Sequence, residues 1–227
     1  MAEPALTSRG RYSVPLAGAL LAVSGTLGAI ALADSATESD GLAAFDPELT
    51  TDVLGIRTGP LTALARGLTF IADVPVLSVL ILLVAVLLWR RTRTWRAPGL
   101  LLIAMTGSAA LTYGLKLIVE RHRPGVAYVL GPVDTSYGFP SGHTLNSAVF
   151  FGVLAMVVCS GLGSRLARVG VVLLAVVLSA GIGASRLYLG YHWATDILAG
   201  WLIAVSWLAV VGTGAWIFRR SACWGGV

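Results

Sequence analysis

Three short polar stretches interrupt a chain otherwise built mostly of Ala, Val, Leu, Ile and Gly. They are KLIVERHRP (Lys116 to Pro124), PSGH (Pro140 to His143) and SRLYLGYHWATD (Ser185 to Asp196). These stretches hold all three histidines (His122, His143 and His192) and the single lysine, Lys116. Lys116 and Arg123 are seven residues apart, close to two helical turns, so both can lie on one helix face before Pro124 breaks it. Arg186 comes from a separate stretch. Guanidinium forks and a mobile ammonium suit the oxygens of a phosphoryl group, and together they neutralise charge that develops on it.

The other two stretches add groups able to make and break bonds. Pro140 ends a loop, Ser141 is a good helix cap, and an apolar run begins at Thr144. Ser141 and Gly142 are therefore expected to offer backbone N–H groups at a helix N-terminus, where an anion is favoured. By itself this string also reads as a capped helix start. His192 and Asp196 are four apart, on one face of an expected helix. A carboxylate on one imidazole nitrogen fixes the tautomer and frees the other nitrogen as a nucleophile. The plainer alternative is an interfacial histidine and a helix-start aspartate, with Tyr188, Tyr191 and Trp193 as an aromatic belt. Asp73 reads as a helix-start carboxylate facing water. Glu120 and Arg121 read as a pair or as headgroup contacts, and His122 as a loop residue.

These groups need a scaffold, and the composition says which kind. The chain has 227 residues, 56% hydrophobic and 12% charged, with a mean hydropathy of +0.83. A soluble domain averages about 25% charged residues, so the chain is expected to be an all-α integral membrane protein. Apolar runs predict six spans, near 14–33, 71–89, 98–119, 144–162, 169–187 and 193–218. Each is close to the ~20 residues that cross a bilayer as a helix. Residues 1–13 and 219–227 are read as tails around one membrane domain, 14–218, with the first span an uncleaved anchor. Residues 61–70 predict a short interfacial helix after an acidic loop, 34–60. Cys159 and Cys223 show no metal-ligand spacing and read as ordinary thiols.

Arginine placement orients the bundle. Arg9 and Arg11, Arg90 to Arg96, Arg165 and Arg168, and Arg219 and Arg220 all fall on one side of six spans. Positive residues mark the cytoplasmic side, so both termini are expected there. The three polar stretches then lie on the extracytoplasmic side, where an anionic ligand would account for their basic residues. The short arginine clusters between apolar runs read as topology, with no nucleic-acid partner expected.

Taken together the stretches resemble the type 2 phosphatidic acid phosphatase superfamily, in its integral-membrane branch. That pattern is Lys, six residues, Arg-Pro; Pro-Ser-Gly-His; Ser-Arg, five residues, His, three residues, Asp; it is complete here. The resemblance implies a metal-independent, cofactor-free lipid phosphatase working through a phosphohistidine. It implies His192 as nucleophile, Asp196 as its orienting acid and His143 as general acid and base. Lys116, Arg123, Ser141, Gly142, Ser185 and Arg186 would hold the phosphoryl group. The implied partners are the bilayer and a lipid phosphate within it. Polyprenyl diphosphate is the preferred substrate, with phosphatidate and phosphatidylglycerophosphate as alternatives. A lipid phosphotransferase would share every motif residue, and a non-catalytic anion binder or transporter would need the cations alone.

Overall fold

A computed structural model describes residues 8–224, with side chains from Tyr12 to Arg220. Eight α-helices follow in order: α1 Ser8–Glu38, α2 Asp46–Gly55, α3 Gly59–Ile71, α4 Val74–Thr92, α5 Arg96–Val119, α6 Gly142–Ser160, α7 Arg165–Tyr188 and α8 Ala194–Trp224. Six of them (α1, α4, α5, α6, α7 and α8) are long and apolar enough to cross a membrane. All six expected spans are present, with shifted ends. The first helix runs on through the Ala- and Ser-containing segment to Glu38, and the second span begins at Val74. The expected interfacial helix is α3, capped by the Thr58 hydroxyl, which accepts from the Leu61 amide. The acidic segment is more ordered than a loop, because Asp46, Pro47 and Glu48 start α2.

The large apolar side chains divide into two sets. Leu16, Leu20, Val23 and Leu27 on α1, Leu82, Leu83, Val86 and Leu87 on α4, and Leu173, Leu174, Val176 and Val177 on α7 are exposed. In a membrane helix such residues face lipid tails. Leu101, Leu145, Val149, Val153 and Ala204 are buried where α5, α6 and α8 meet.

The central post is α8. Side chains along it seat on glycines of four neighbours. A Cβ added at Gly107 of α5 would stand 2.1 Å from the Trp207 ring, one at Gly152 of α6 2.5 Å from Leu208, and one at Gly183 of α7 2.7 Å from the Trp201 ring. On α1, Gly18, Gly25 and Gly28 meet Thr213, Ser206 and Leu202 in the same way. Small residues let membrane helices approach closely, since apolar burial alone favours neither protein nor lipid. Both indoles are also satisfied: Trp207 Nε1 donates to the Ala104 carbonyl (2.8 Å) and Trp201 Nε1 to the Ser179 hydroxyl (3.2 Å). Gly107→Ala is expected to push α5 from α8 and destabilise the protein by ~1–3 kcal/mol, read as an earlier thermal transition in detergent.

The helix ends sort the polar residues. Arg90, Arg91, Arg93 and Arg96 at the α4–α5 turn share one end of the bundle with Arg165 and Arg168 at the start of α7. The end of α5 and the starts of α6 and α8 form the opposite end, where all three motif stretches gather.

Candidate active site

The nucleophile candidate lies in the short turn between α7 and α8. His192 precedes α8 rather than lying on it, so the expected shared helix face is replaced by a cap-like turn. Asp196, in the first turn of α8, accepts from the Trp193 amide (3.0 Å) and from His192 Nδ1 (3.3 Å) with the same oxygen, Oδ2. Gly190 makes this turn possible. Its φ is +80°, and an added Cβ would stand 2.0 Å from the Tyr128 carbonyl oxygen.

The His192 side chain is 2% exposed, and its second nitrogen, Nε2, meets Arg123 Nη1 at 3.1 Å. A guanidinium only donates, so Nε2 carries the lone pair and Nδ1 the proton, which goes to Asp196. Burial, and then the charges of Arg123, Arg186 and Lys116, hold His192 well below the ordinary imidazole value. The ring is therefore neutral at physiological pH.

Three cations act on this ring by different routes. Lys116, in the last turn of α5, donates its ammonium to the Tyr137 carbonyl. Arg123 does not share its helix. The helix ends at Val119, Glu120 takes a left-handed φ of +48°, and Arg123 is on the irregular segment that follows. From there its Nη1 donates to the Tyr191 carbonyl (2.8 Å) and its Nη2 pairs with Asp134 (2.6 Å). Arg186, near the end of α7, donates to the Thr69 hydroxyl (3.0 Å) and stacks 4.0 Å from the Tyr191 ring centre. Its Nε is buried and has no hydrogen-bond partner among the described residues.

The start of α6 faces the same space, with its donors arranged differently from expectation. Ser141 holds the N-cap position without a side-chain cap; its hydroxyl accepts from Thr144 (2.9 Å). Its amide donates to the Asp196 carbonyl (3.1 Å), so it is not free for a ligand. That bond fixes the start of α6 to the start of α8. Ser185 is similarly occupied, donating to the Ile182 carbonyl (2.6 Å). Gly142 and His143 are the first residues of α6, where helical amides lack intrahelical acceptors. Behind them Asn146 donates to the Gly142 carbonyl (2.9 Å) and accepts from Ser108 of α5 (2.5 Å).

Several residues at the site were read otherwise from sequence. Asp73 stands at the start of α4 as expected, but its side chain makes no cap bond and its Oδ1 meets His143 Nε2 at 2.8 Å. Arg121 does not turn to Glu120; it pairs with Asp46 (2.7 Å) and Asp196 (2.5 Å). Tyr188 is no belt residue: it is buried, and its hydroxyl accepts from the Thr58 amide (3.0 Å). Tyr191 turns inward as the platform for Arg186. His122 is exposed, and its carbonyl accepts from the Trp193 indole (3.0 Å). Cys159 is a free thiol, while the side chain of Cys223 lies outside the described residues.

A model of the PAP2 superfamily matches residues 97–220. The chain belongs to the PAP2 superfamily. Among PAP2 relatives, phosphatidylglycerophosphatase B of Bacillus subtilis is 29% identical over 174 residues, 75% of this chain and 83% of that protein. Undecaprenyl-diphosphatase of Sulfolobus acidocaldarius is 29% identical over 127 residues, 54% of this chain and 56% of that protein. The crystal structure of the transmembrane PAP2-type phosphatidylglycerolphosphate phosphatase from Bacillus subtilis superposes with a TM-score of 0.78 at 27% identity, covering 85% of this chain and 94% of that one. LpxE of Aquifex aeolicus shares the fold, with a TM-score of 0.60 at 21% identity over 74% of this chain and 95% of its own. The PAP2 match begins with α5, so Asp46, Thr69 and Asp73 reach the site from outside the matched segment.

Proposed function

We propose that this chain is a lipid-phosphate phosphatase that works through a phosphohistidine at His192. The observation that carries the reading is the double clamp on one buried imidazole: Nδ1 on Asp196, and Nε2 with its lone pair on Arg123, with the charges of Arg186 and Lys116 also acting on the ring. A binder needs the cations but has no use for a desolvated nucleophile with an orienting carboxylate.

The reaction divides into two displacements. Lys116, Arg123, Arg186 and the Gly142 amide hold the non-bridging oxygens, with Arg123 turning from Nε2 to the phosphate as substrate arrives. The Nε2 lone pair attacks phosphorus and the bond to the lipid oxygen breaks. His143, supported in its protonated form by Asp73, gives that oxygen a proton. In the second step neutral His143 takes a proton from water, whose oxygen attacks phosphorus. The P–N bond breaks, its electrons return to Nε2, and inorganic phosphate leaves. Asp196 balances the positive charge on the phosphorylated ring. Ser141 and Ser185 act as braces for the loops that carry these groups.

Phosphatidylglycerophosphate becomes the preferred substrate over polyprenyl diphosphate. The PAP2 relative matching most of both chains is a phosphatidylglycerophosphatase. Physical reasoning points the same way. Asp73 and Asp134 pair with His143 and Arg123 at the site, their side chains are 42% and 41% exposed, and their charge is expected to disfavour a second phosphate group. The undecaprenyl-diphosphatase relative keeps the diphosphate as the second reading. The test is phosphate release by the purified protein from a panel of both lipids and phosphatidate, with and without EDTA. Fastest release from phosphatidylglycerophosphate, unchanged by chelation, is expected, because Lys116, Arg123 and Arg186 supply the positive charge. Faster release from the diphosphate reverses the substrate order, and a chelation loss restored by a divalent ion overturns the mechanism.

The arginine clusters gather at the other end of the bundle, which supports an extracytoplasmic site with both termini cytoplasmic. In a chain with Cys159 and Cys223 replaced by serine, a membrane-impermeant thiol reagent added outside cells is expected to label Thr135→Cys and spare Thr94→Cys. The reverse pattern inverts the orientation.

A further inference from the structure

Asp196 is completely buried and has only one oxygen on His192, through a bond of 3.3 Å. Its other oxygen, Oδ1, is taken by Arg121 Nη1 at 2.5 Å, and the same Nη1 donates to the Thr195 hydroxyl at 2.7 Å. The second arm of that guanidinium, Nη2, goes to Asp46 Oδ2 at 2.7 Å. Asp46 also accepts from the Thr195 amide (3.1 Å) and hydroxyl, which ties it to the first turn of α8. The side chains of Arg121 and Asp46 are 9% and 3% exposed. The other acidic residues of the segment, Asp34, Glu38, Asp40, Glu48 and Asp52, are exposed, so Asp46 alone among them turns inward.

We propose that Arg121 and Asp46 are positioning residues for the nucleophile, acting on His192 through Asp196. The inference rests on the His192 reading above. Two physical effects combine. With Oδ1 held, the carboxylate cannot rotate Oδ2 away from His192 Nδ1. A buried charge also needs a partner, and Arg121 supplies one to Asp196. If Arg121 faced Asp196 alone, the ion pair would neutralise the carboxylate. Asp46 shares the guanidinium, so the three groups together keep one negative charge. That charge stands opposite the ring as it turns positive on taking phosphorus. Neither residue reaches the phosphoryl-binding space: both Arg121 arms are occupied by carboxylates, and Asp46 lies behind Thr195.

The test measures kcat and KM for phosphate release from a lipid phosphate by Arg121→Ala and Asp46→Asn, beside wild type and His192→Ala. Misplacing a reacting group by about 1 Å costs on the order of 100-fold. A kcat loss of roughly that size is expected for Arg121→Ala and roughly tenfold for Asp46→Asn, with KM in both within about threefold of wild type. Added guanidinium ion is expected to restore activity to Arg121→Ala and none to His192→Ala, a rescue that a purely scaffolding role would not show. If Arg121→Ala does not fold, Asp46→Asn with an unchanged thermal transition decides the matter through its kcat. Variants that keep wild-type kcat, or lose activity through KM, overturn the proposal. Wild type releasing no phosphate overturns instead the phosphatase reading on which it rests.

Discussion

Replacing His192 by alanine is expected to lower phosphate release by at least ~10⁴-fold, to the background of the assay. The loss corresponds to ~5.5 kcal/mol of barrier. It should be large because the cations can hold and polarise a phosphate without His192 but cannot supply the electron pair. Vanadate, a phosphate mimic, is still expected to bind His192→Asn, more weakly than wild type, since Lys116, Arg123 and Arg186 come from separate segments. The decisive companion is chemical. Rapid acid-free quenching of wild type with labelled substrate should leave phosphate on the peptide containing His192, stable to base and lost in acid. Substantial turnover by His192→Ala, or a label on another residue, would remove His192 from the centre of the mechanism.

Replacing His143 by glutamine is expected to cost ~10²–10⁴-fold on a lipid phosphate, the usual range for a general acid–base group. The two half-reactions should respond differently. With an aryl phosphate, whose leaving group needs no proton, the first displacement should be nearly normal. The second still needs a base for water, so phosphoenzyme should accumulate in His143→Gln where wild type shows little. An equal loss on both substrates with no accumulation would instead make His143 a binding residue. Asp73→Asn should weaken the same step less, because it removes the support and leaves the imidazole.

The legible part of this molecule was local. Six spans follow from apolar length, and Lys116, Arg123, Gly142, His143, Arg186, His192 and Asp196 are marked by polar types in an apolar chain. The structure gathers all of them at one end of the bundle. What sequence did not supply was pairing over distance. Arg121 meets Asp46 and Asp196 across 75 residues each, and Asp73 meets His143 across 70. No periodicity reports such partners. A charge count gave a faint signal: Arg121 sat in a segment where positive residues are disfavoured, and six carboxylates stood in one stretch with no assigned purpose. The helix face expected to carry both Lys116 and Arg123 failed for a related reason, although the span ends at Val119 as expected. The break after Val119 depends on Glu120 adopting a left-handed backbone, which the run of apolar residues before it conceals.

The glycine seats around α8 bear on how the molecule is made. Chains are synthesised from the N-terminus, so among the described helices α8 is made last. Until it arrives, Gly107, Gly152 and Gly183 line unfilled grooves in α5, α6 and α7. Arg121 and Asp46 then have each other but not Asp196, and His192 has no carboxylate to orient it. Insertion of one helix therefore closes the bundle and completes the candidate site together. A nascent chain stalled before α8 would lack the Asp196 carboxylate and leave the glycine grooves of α5, α6 and α7 unfilled.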